Sequence, residues 1–361
     1  MEGSHVSDDM VIQSHKGPYQ VFITPDFLSD HARLLDGMPH FLVDSNVARL
    51  YASRLGDVLN HPNLIVIDAT EEHKSIQGVI PVIERLVKNK VRRDHVLVGI
   101  GGGIIQDITC FIASTLLRGV PWTLVPTTLL AQADSCIGSK SSINVGPTKN
   151  ILGTFNPPER IFVCPAFLDT LERKDILSGI GEILKVHAIE GMPAFDRLAG
   201  DYDRLLDDRT VLLAYVAEAL RIKQKFIEID EFDRGPRNIF NYGHSFGHAI
   251  ESATDFGVPH GIAVTMGMDI ANLIASLRGV LPDSHYRRMH GVLKRNYADF
   301  SDVPIPVDAM LAALTKDKKN TATQLVLIFP TGDEARIERV KVDADQAFRA
   351  QCHQALEALR G

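Results

Sequence analysis

An α/β N-terminal half followed by a mainly α-helical C-terminal half is the fold class that the sequence predicts. Three observations predict it. Short apolar runs alternate with helix-like segments over about the first 170 residues, the pattern of a largely parallel sheet covered on both faces. Beyond that point long helical segments dominate. The full length, 361 residues, exceeds one typical domain and suggests two. The expected division is 1–168 and 169–361, with the active site in the cleft between the two domains, where ligands prefer to bind.

In chain order, "YQVFI" (19–23) and "HFLVD" (40–44) read as strands, the second leading into a helical "SNVARLYASRLGDVL". "NLIVID" (63–68) is a strand, and "SIQGVIPVIERLVKNK" (75–90) carries apolar residues at helical spacing. "HVLVGI" (95–100) ends in three glycines and is followed by a helical "IIQDITCFIASTLLRG". "PWTLVP" and "RIFVC" are two further buried strands. The C-terminal helices are "DILSGIGEILKVHAI", "DRTVLLAYVAEALRIKQKFIEID" and "GIAVTMGMDIANLIASLRG". Near the end, "TQLVLIFPTGDEARIERVKV" reads as a hairpin turning at Pro330–Gly332.

Composition narrows the partners. With 45% hydrophobic and 23% charged residues, the chain can bury a large core as a soluble enzyme does. A net charge of −7 and the lack of a basic tract give no support to a nucleic-acid surface. The most apolar stretch, 96–117, is interrupted by Gly101–Gly103, Gln106, Asp107 and Thr109, so it is no uninterrupted membrane span. "MEGSHVSDDM" has no apolar signal region, and four cysteines without regular spacing point to a reducing compartment. The expectation is a cytoplasmic protein with no membrane and no nucleic-acid partner.

Several stretches carry chemistry. "GIGGGIIQD" (99–107) follows a strand and opens a helix, so it is either a site where backbone N–H groups meet a phosphate or a tight turn. Asp44 ends a strand: it either takes ribose hydroxyls or caps the next helix. The stretch 125–158, rich in Thr, Ser, Gly and Asn, carries Asp134, Lys140, Lys149 and Asn150 and fits a loop that wraps a polar ligand. Glu182 and Lys185 share a helical face, either as a surface ion pair or, since Glu182 sits among Ile180, Ile183 and Leu184, with the carboxylate held by a partner such as a metal. "NYGHSFGHAI" (241–250) sets His244 and His248 four apart on one helical face, where they either bind one ion together or do different jobs. Together with His260 and Glu182, these residues have the composition of a catalytic zinc site with an open position. The HSFGH spacing lacks the glutamate of the HExxH peptidase motif.

Read in order, "GGGIIQD", "RGVPWTLVPTTLLAQADSCIGSK", "KNILGTFNPP", "GEILK", "RNIFNYGHSFGHAIE", "HGIAVTMGM" and "KDKK" resemble the 3-dehydroquinate synthase family of sugar phosphate cyclases, over about residues 40–335. The resemblance implies a Rossmann-like NAD domain followed by a helical metal domain, usually as a homodimer. It implies zinc (or cobalt) on Glu182, His244 and His260, with His248 contacting substrate. NAD contacts fall on Asp44, Asn46, Glu71, Lys74, Gly102, Gly103, Asp107, Thr127 and Thr128, with Lys140 and Lys149 close to both ligands. Substrate contacts fall on Asp134, Lys140, Asn150, Lys185, Lys223, Arg237, Asn241, His248 and Lys318 or Lys319. Arg118 matches an arginine that reaches the phosphate pocket of the neighbouring subunit.

The implied reaction takes a sugar phosphate, 3-deoxy-arabino-heptulosonate 7-phosphate, through oxidation at C5, β-elimination of inorganic phosphate, return of the hydride, ring opening and aldol closure of the carbocycle. Gln106 stands where the family usually has glycine, "SKSS" replaces a Gly-Lys-Thr-Gly-like run, and Cys164 stands where aspartate is common. The alternatives are a paralogous cyclase acting on another sugar phosphate and a metal-dependent NAD polyol dehydrogenase. Arg237, Lys223, Asn241 and His248 all stand in the form that dehydroquinate synthases carry, and cyclases of neutral sugars tend to lack the arginine.

Overall fold

The computed structural model describes residues 9–24, 28, 32–146, 148–315 and 324–360. Lys318 and Lys319 lie outside the described residues. The chain divides into two compact units, Met1–Leu171 with Lys223–Asp233, and Glu172–Ile222 with Arg234–Gly361.

In the first unit the strands are β1 (Met10–Ile12), β2 (Tyr19–Ile23), β3 (Pro39–Asp44), β4 (Leu64–Ile67), β5 (Val96–Gly101), β6 (Trp122–Pro126), β7 (Lys140–Val145), β8 (Thr148–Phe155) and β9 (Arg160–Val163). Among the described residues they form a seven-stranded sheet in the order β1-β2-β9-β6-β5-β3-β4 and a separate β7–β8 hairpin. Every neighbour pair in the large sheet is parallel except β1 with β2. The helices are α1 (Ser45–Leu50), α2 (Gly56–Leu59), α3 (Ile76–Lys88) and α4 (Gly103–Thr115). β5 is buried along its whole length, which is why "VLVGIG" reads as a continuous apolar run rather than an alternating one. Phe41, Val43, Val98, Ile100, Val125 and Phe162 make the core between sheet and helices.

Two expectations change here. The segment after β3 forms two short helices rather than one. Tyr51 ends the first, and its buried ring sends its hydroxyl to the Ala166 carbonyl at 2.9 Å and to Thr170 Oγ1 at 3.0 Å. The stretch 125–158 is not one loop: it holds a single π-helical turn at Ala131–Ser135 and the β7–β8 hairpin. β8 is exposed along most of its length, so "TKNILGTF" lacks the apolar alternation by which a half-buried strand is recognised.

The second unit holds α5 (Arg173–Glu190), α6 (Met192–Gly200), α7 (Tyr202–Asp207), α8 (Arg209–Ile229), α9 (His244–Ala253), α10 (His260–Leu277), α11 (Asp283–Tyr297), α12 (Val307–Thr315), the hairpin of β10 (Gln324–Thr331) with β11 (Arg336–Asp343), and α13 (Gln346–Arg360). From Lys223 onward α8 belongs to the first unit. There Gln224 Nε2 donates to the Val11 carbonyl at 2.9 Å and the Gln13 N–H donates to Glu228 Oε1 at 3.1 Å. The hairpin turns at Gly332–Ala335 rather than at Pro330–Gly332. Pro330 stays in the strand opposite Ile337, and the positive φ falls on Gly332 and Ala335.

α10 is the core of this unit, buried from Gly261 through Ala275 and packed against α5, α9, α11 and α13. Its length and apolarity would also suit a membrane span, and its position inside the unit accounts for both. Glycines set how close its neighbours come, Gly243 and Gly261 among them. A Cβ on Gly261 would lie 1.8 Å from the Ser178 carbonyl oxygen of α5. One on Gly243, whose φ is +76°, would lie 2.5 Å from the Val264 carbonyl oxygen of α10. Backbone thus meets backbone at both contacts, drawing α5, α9 and α10 together where Glu182, His244 and His260 stand.

Candidate active site

In the first unit the strand order places the topological switch point between β3 and β5, since β4 lies outside β3 and β5 on its other side. In parallel α/β sheets the crevice beyond the carboxyl ends at such a point is where ligands bind. Asp44 ends β3 there, and Gly101–Gly103 joins β5 to α4. Gly102 is the N-terminal cap of α4, and a Cβ on it would come within 2.9 Å of Thr128. A Cβ on Gly103 would meet nothing within 4 Å, so the space before this helix start is open. Asp44 does cap α1, accepting from the Asn46 N–H at 2.8 Å. Burial raises its carboxyl above the ordinary range, against the lowering effect of the Asn46 and Val47 backbone N–H groups. Asn46 itself is exposed, and Thr127 and Thr128 follow β6 on the same edge of the sheet.

Lys74 is the hub of a polar cluster on this edge. Its Nζ donates to Asp107 Oδ2 at 3.1 Å and to Asn150 Oδ1 at 2.8 Å, and it stands 3.7 Å from Glu71 Oε1. The Ser142 N–H donates to Asp107 Oδ1 at 3.2 Å. Burial pushes the Asp107 carboxyl upward, and the charge of Lys74 opposes it. Asn144, which the sequence reading missed, ties the cluster together: its Nδ2 donates to Glu71 Oε1 and its Oδ1 accepts from the Asn150 N–H, both at 2.8 Å. Asn150 holds a φ of +53° beside the exposed Lys149. Asp134 sits in the π-helical turn and pairs through Oδ1 with Lys223 Nζ at 2.5 Å. Lys140 pairs with Asp233, a second residue not anticipated. Arg118 is not with this group. It is exposed in the turn leading into β6, at the opposite edge of the sheet, and both Leu117 and Arg118 have positive φ, +51° and +67°.

In the second unit α5, α9 and α10 bring Glu182, Lys185, His244, His248 and His260 together. Glu182 is 1% exposed and Lys185 2%, and their side chains are paired, so the surface ion pair is excluded. Glu182 Oε1 stands 3.6 Å from His244 Nε2 and 3.5 Å from His260 Nε2. Those spacings are long for hydrogen bonds. They match ligands on one tetrahedral ion, which at metal–ligand distances of about 2.1 Å stand roughly 3.4 Å apart. Ring nitrogens of His244, His248 and His260 all lie within 4.8 Å of one another. The donor set therefore fits a zinc-like divalent ion.

Protonation supports the fit. Burial, then the charges of Lys185, His260 and His248, hold His244 well below the ordinary imidazole range, leaving it neutral as a ligand must be. Its Nδ1 donates to the Tyr242 carbonyl at 3.2 Å, which leaves Nε2 to face Glu182. At His260 burial alone would lower the pKa. The facing carboxylates of Glu182 and Glu251, the latter within hydrogen-bonding distance of Nδ1, outweigh burial and raise it to about 10. A place where two carboxylates favour a proton is one where they favour a metal cation. Glu251 is the third residue missed: it lies three residues after His248, and no pattern in the sequence marks its partner. Arg237 is buried in the 3-10 turn Pro236–Asn241, where Lys185 Nζ lies 5.6 Å from the centre of the Phe240 ring and Asn241 Nδ2 donates to the Asn238 carbonyl at 3.0 Å.

Known proteins resemble this chain in sequence and fold. The 3-dehydroquinate synthase N-terminal model matches residues 64–178 and the C-terminal model residues 179–320. A 3-dehydroquinate synthase of Alkaliphilus oremlandii is 33% identical over 328 residues, spanning 87% of this chain and 86% of that one. Among solved structures, ValA (2-epi-5-epi-valiolone synthase) from Streptomyces hygroscopicus subsp. jinggangensis 5008, with NAD+ and Zn2+ bound, superposes with a TM-score of 0.80 at 28% identity, covering 94% of this chain and 96% of that one. A 2-deoxy-scyllo-inosose synthase complexed with carbaglucose-6-phosphate, NAD+ and Co2+ shares the fold, with a TM-score of 0.81 at 21% identity over 98% of this chain and 99% of that one. Since both halves of the family's pattern are matched in order, and a third of the residues are shared along most of a relative's length, the chain belongs to the 3-dehydroquinate synthase family.

Proposed function

We propose that this protein is a 3-dehydroquinate synthase, a lyase that converts 3-deoxy-arabino-heptulosonate 7-phosphate to 3-dehydroquinate with loss of inorganic phosphate. The observation that carries the reading is the Glu182–His244–His260 set at ion-sharing distances, in a chain that also keeps Lys223, Arg237, Asn241 and His248. When bound, NAD supplies a reversible hydride acceptor and the divalent ion supplies Lewis acidity at the substrate hydroxyls.

The chain's own residues supply the rest. Glu182, His244 and His260 would hold the ion. Asp44, Asn46, Glu71, Lys74, Gly102, Gly103, Asp107, Thr127, Thr128, Lys140 and Lys149 would hold NAD, with α4 offering its N-terminus to the pyrophosphate. Lys185, Lys223, Arg237 and Asn150 would grip substrate phosphate and carboxylate through charge-assisted hydrogen bonds. An imidazole nitrogen of His248, exposed beside the ligands, would accept and return a proton near neutral pH. Asp134 and Asn241 would orient substrate hydroxyls.

The same reading includes a homodimer in which Arg118 of one subunit completes the phosphate pocket of the other. An exposed arginine in a left-handed turn, at the sheet edge opposite the first unit's other candidate residues, supports it, because such strain is kept where it serves a function. It also includes a place in the shikimate pathway and the cytoplasm, supported by four buried free cysteines.

The test is a substrate panel with purified protein, NAD and zinc. Phosphate release from the heptulosonate phosphate without net NADH is expected. Release only from sedoheptulose 7-phosphate or glucose 6-phosphate would replace the reading with that of a paralogous cyclase, and accumulating NADH would indicate a polyol dehydrogenase.

A further inference from the structure

We propose that Glu251 is a positioning residue of the metal centre, holding the ring of His260 in the one orientation and tautomer that turns Nε2 toward the ion. The inference rests on the metal reading above and goes beyond the ligand set. His260 is the first residue of α10, reached from α9 through a turn in which Asp255 and Phe256 both have positive φ, +47° and +61°. Its side chain is a third exposed, so packing alone leaves the imidazole room to flip. Glu251 removes that freedom. Its Oε2 lies 3.2 Å from His260 Nδ1. A carboxylate can only accept, so Nδ1 carries the hydrogen and Nε2 is the nitrogen whose lone pair is left for an ion. That Nε2 is the atom 3.5 Å from Glu182 Oε1.

Helix geometry explains why Glu251 can reach. His244, His248 and Glu251 stand at i, i+4 and i+7 on α9 and so share one face. This single face supplies one ligand, the neighbouring imidazole and the group that orients a ligand on the next helix. Carboxylate–histidine–metal arrangements fix ring orientation and raise ligand basicity.

The experiment compares zinc affinity, by chelator competition, in the wild-type protein, Glu251→Ala, Glu251→Gln and His260→Ala. It adds the visible spectrum of each protein loaded with cobalt. Glu251→Ala should weaken zinc binding by about 10- to 100-fold and alter the cobalt spectrum. Glu251→Gln, whose amide oxygen still accepts from Nδ1, should restore most of the affinity. Unchanged affinity and spectrum in Glu251→Ala, while His260→Ala loses zinc, would overturn the role of Glu251 and leave the metal reading standing. Equal weakening in both Glu251 variants would also overturn it. A wild-type protein that takes up no zinc would overturn the metal reading and this inference together. Nitrogen NMR of His260 in the zinc-loaded wild-type protein tests the point without any variant: protonated Nδ1 with metal on Nε2 is expected, and metal on Nδ1 refutes it.

Discussion

Gly261→Ala tests whether backbone contact between α5 and α10 builds the metal site. A Cβ at position 261 would sit 1.8 Å from the Ser178 carbonyl oxygen, where 3.0 Å is about the least that real contacts show. The two helices must therefore separate locally by at least about 1.2 Å. Alanine recovers up to about 1 kcal/mol of helix propensity. Against that, overpacking costs typically about 1–3 kcal/mol, and the bond from the Gly261 N–H to Ser178 Oγ, 2.9 Å long, is worth roughly 1 kcal/mol. The net expectation is a loss of about 1–3 kcal/mol.

A functional effect should accompany the stability effect. On the proposed reading Glu182 on α5 and His260 on α10 hold one ion within about 0.2 Å of ideal distances, and the forced separation is several times that. Zinc affinity should fall by about 10- to 100-fold. Urea unfolding with chelator present reads the apo stability, and chelator competition reads the affinity, so metal binding does not mask the packing cost. Gly291→Ala in α11, where a Cβ meets nothing within 4 Å, is the control. It should be neutral or slightly stabilising and leave zinc binding alone. A Gly261→Ala protein that matches this control in stability and zinc affinity would refute the reasoning.

Two further outcomes follow from the same geometry. His260→Ala should abolish metal retention while His248→Ala keeps the metal and loses turnover, as read by metal analysis of dialysed protein beside phosphate release; equal metal loss in both would end the division of labour. In the first unit, burial and then the nearby His95 and His61 hold His40 down to about 4, with its Nε2 2.9 Å from His95 Nδ1. The unfolded chain takes up the proton near the ordinary pKa and the folded chain resists, so this contribution is whole above pH 6.5 and lost as pH falls toward 4. It amounts to no more than about 3 kcal/mol. Urea midpoints between those pH values should fall more steeply for the wild-type protein than for His40→Phe, and parallel slopes would count against a neutral buried His40.

Legibility followed burial. β3, β5 and β6 announce themselves as apolar runs because both faces of a parallel sheet are covered, and Asp44 and Gly101–Gly103 mark where they end. β7 and β8 were hidden because polar and exposed residues give no two-residue rhythm. Gly181 of "GIGEILK", Gly243 of "NYGHSFGH" and Gly261 of "HGIAV" could be seen but not explained, since their partners are carbonyl oxygens of other helices. The proposed ligand set needed the family resemblance. Glu182 and His260 are 78 positions apart, and no spacing rule joins residues from three helices. Glu251, Asn144 and Asp233 stayed invisible for a related reason: each acts by holding another side chain, and sequence shows the holder without showing what is held.

The two histidines of α9 end up unequal through environment rather than residue type. They share a face and their ring centres are 5.4 Å apart, nearly perpendicular. One turn of helix nevertheless carries the site from interior to surface. His244 is enclosed, kept neutral by burial and neighbouring positive charge, and anchored through Nδ1 to the Tyr242 carbonyl. A ligand needs that immobility. His248 is exposed beside it, where a proton can arrive and leave. On the function proposed above, a four-residue spacing on a helix that dips into the core would therefore supply one group for each task at adjacent places.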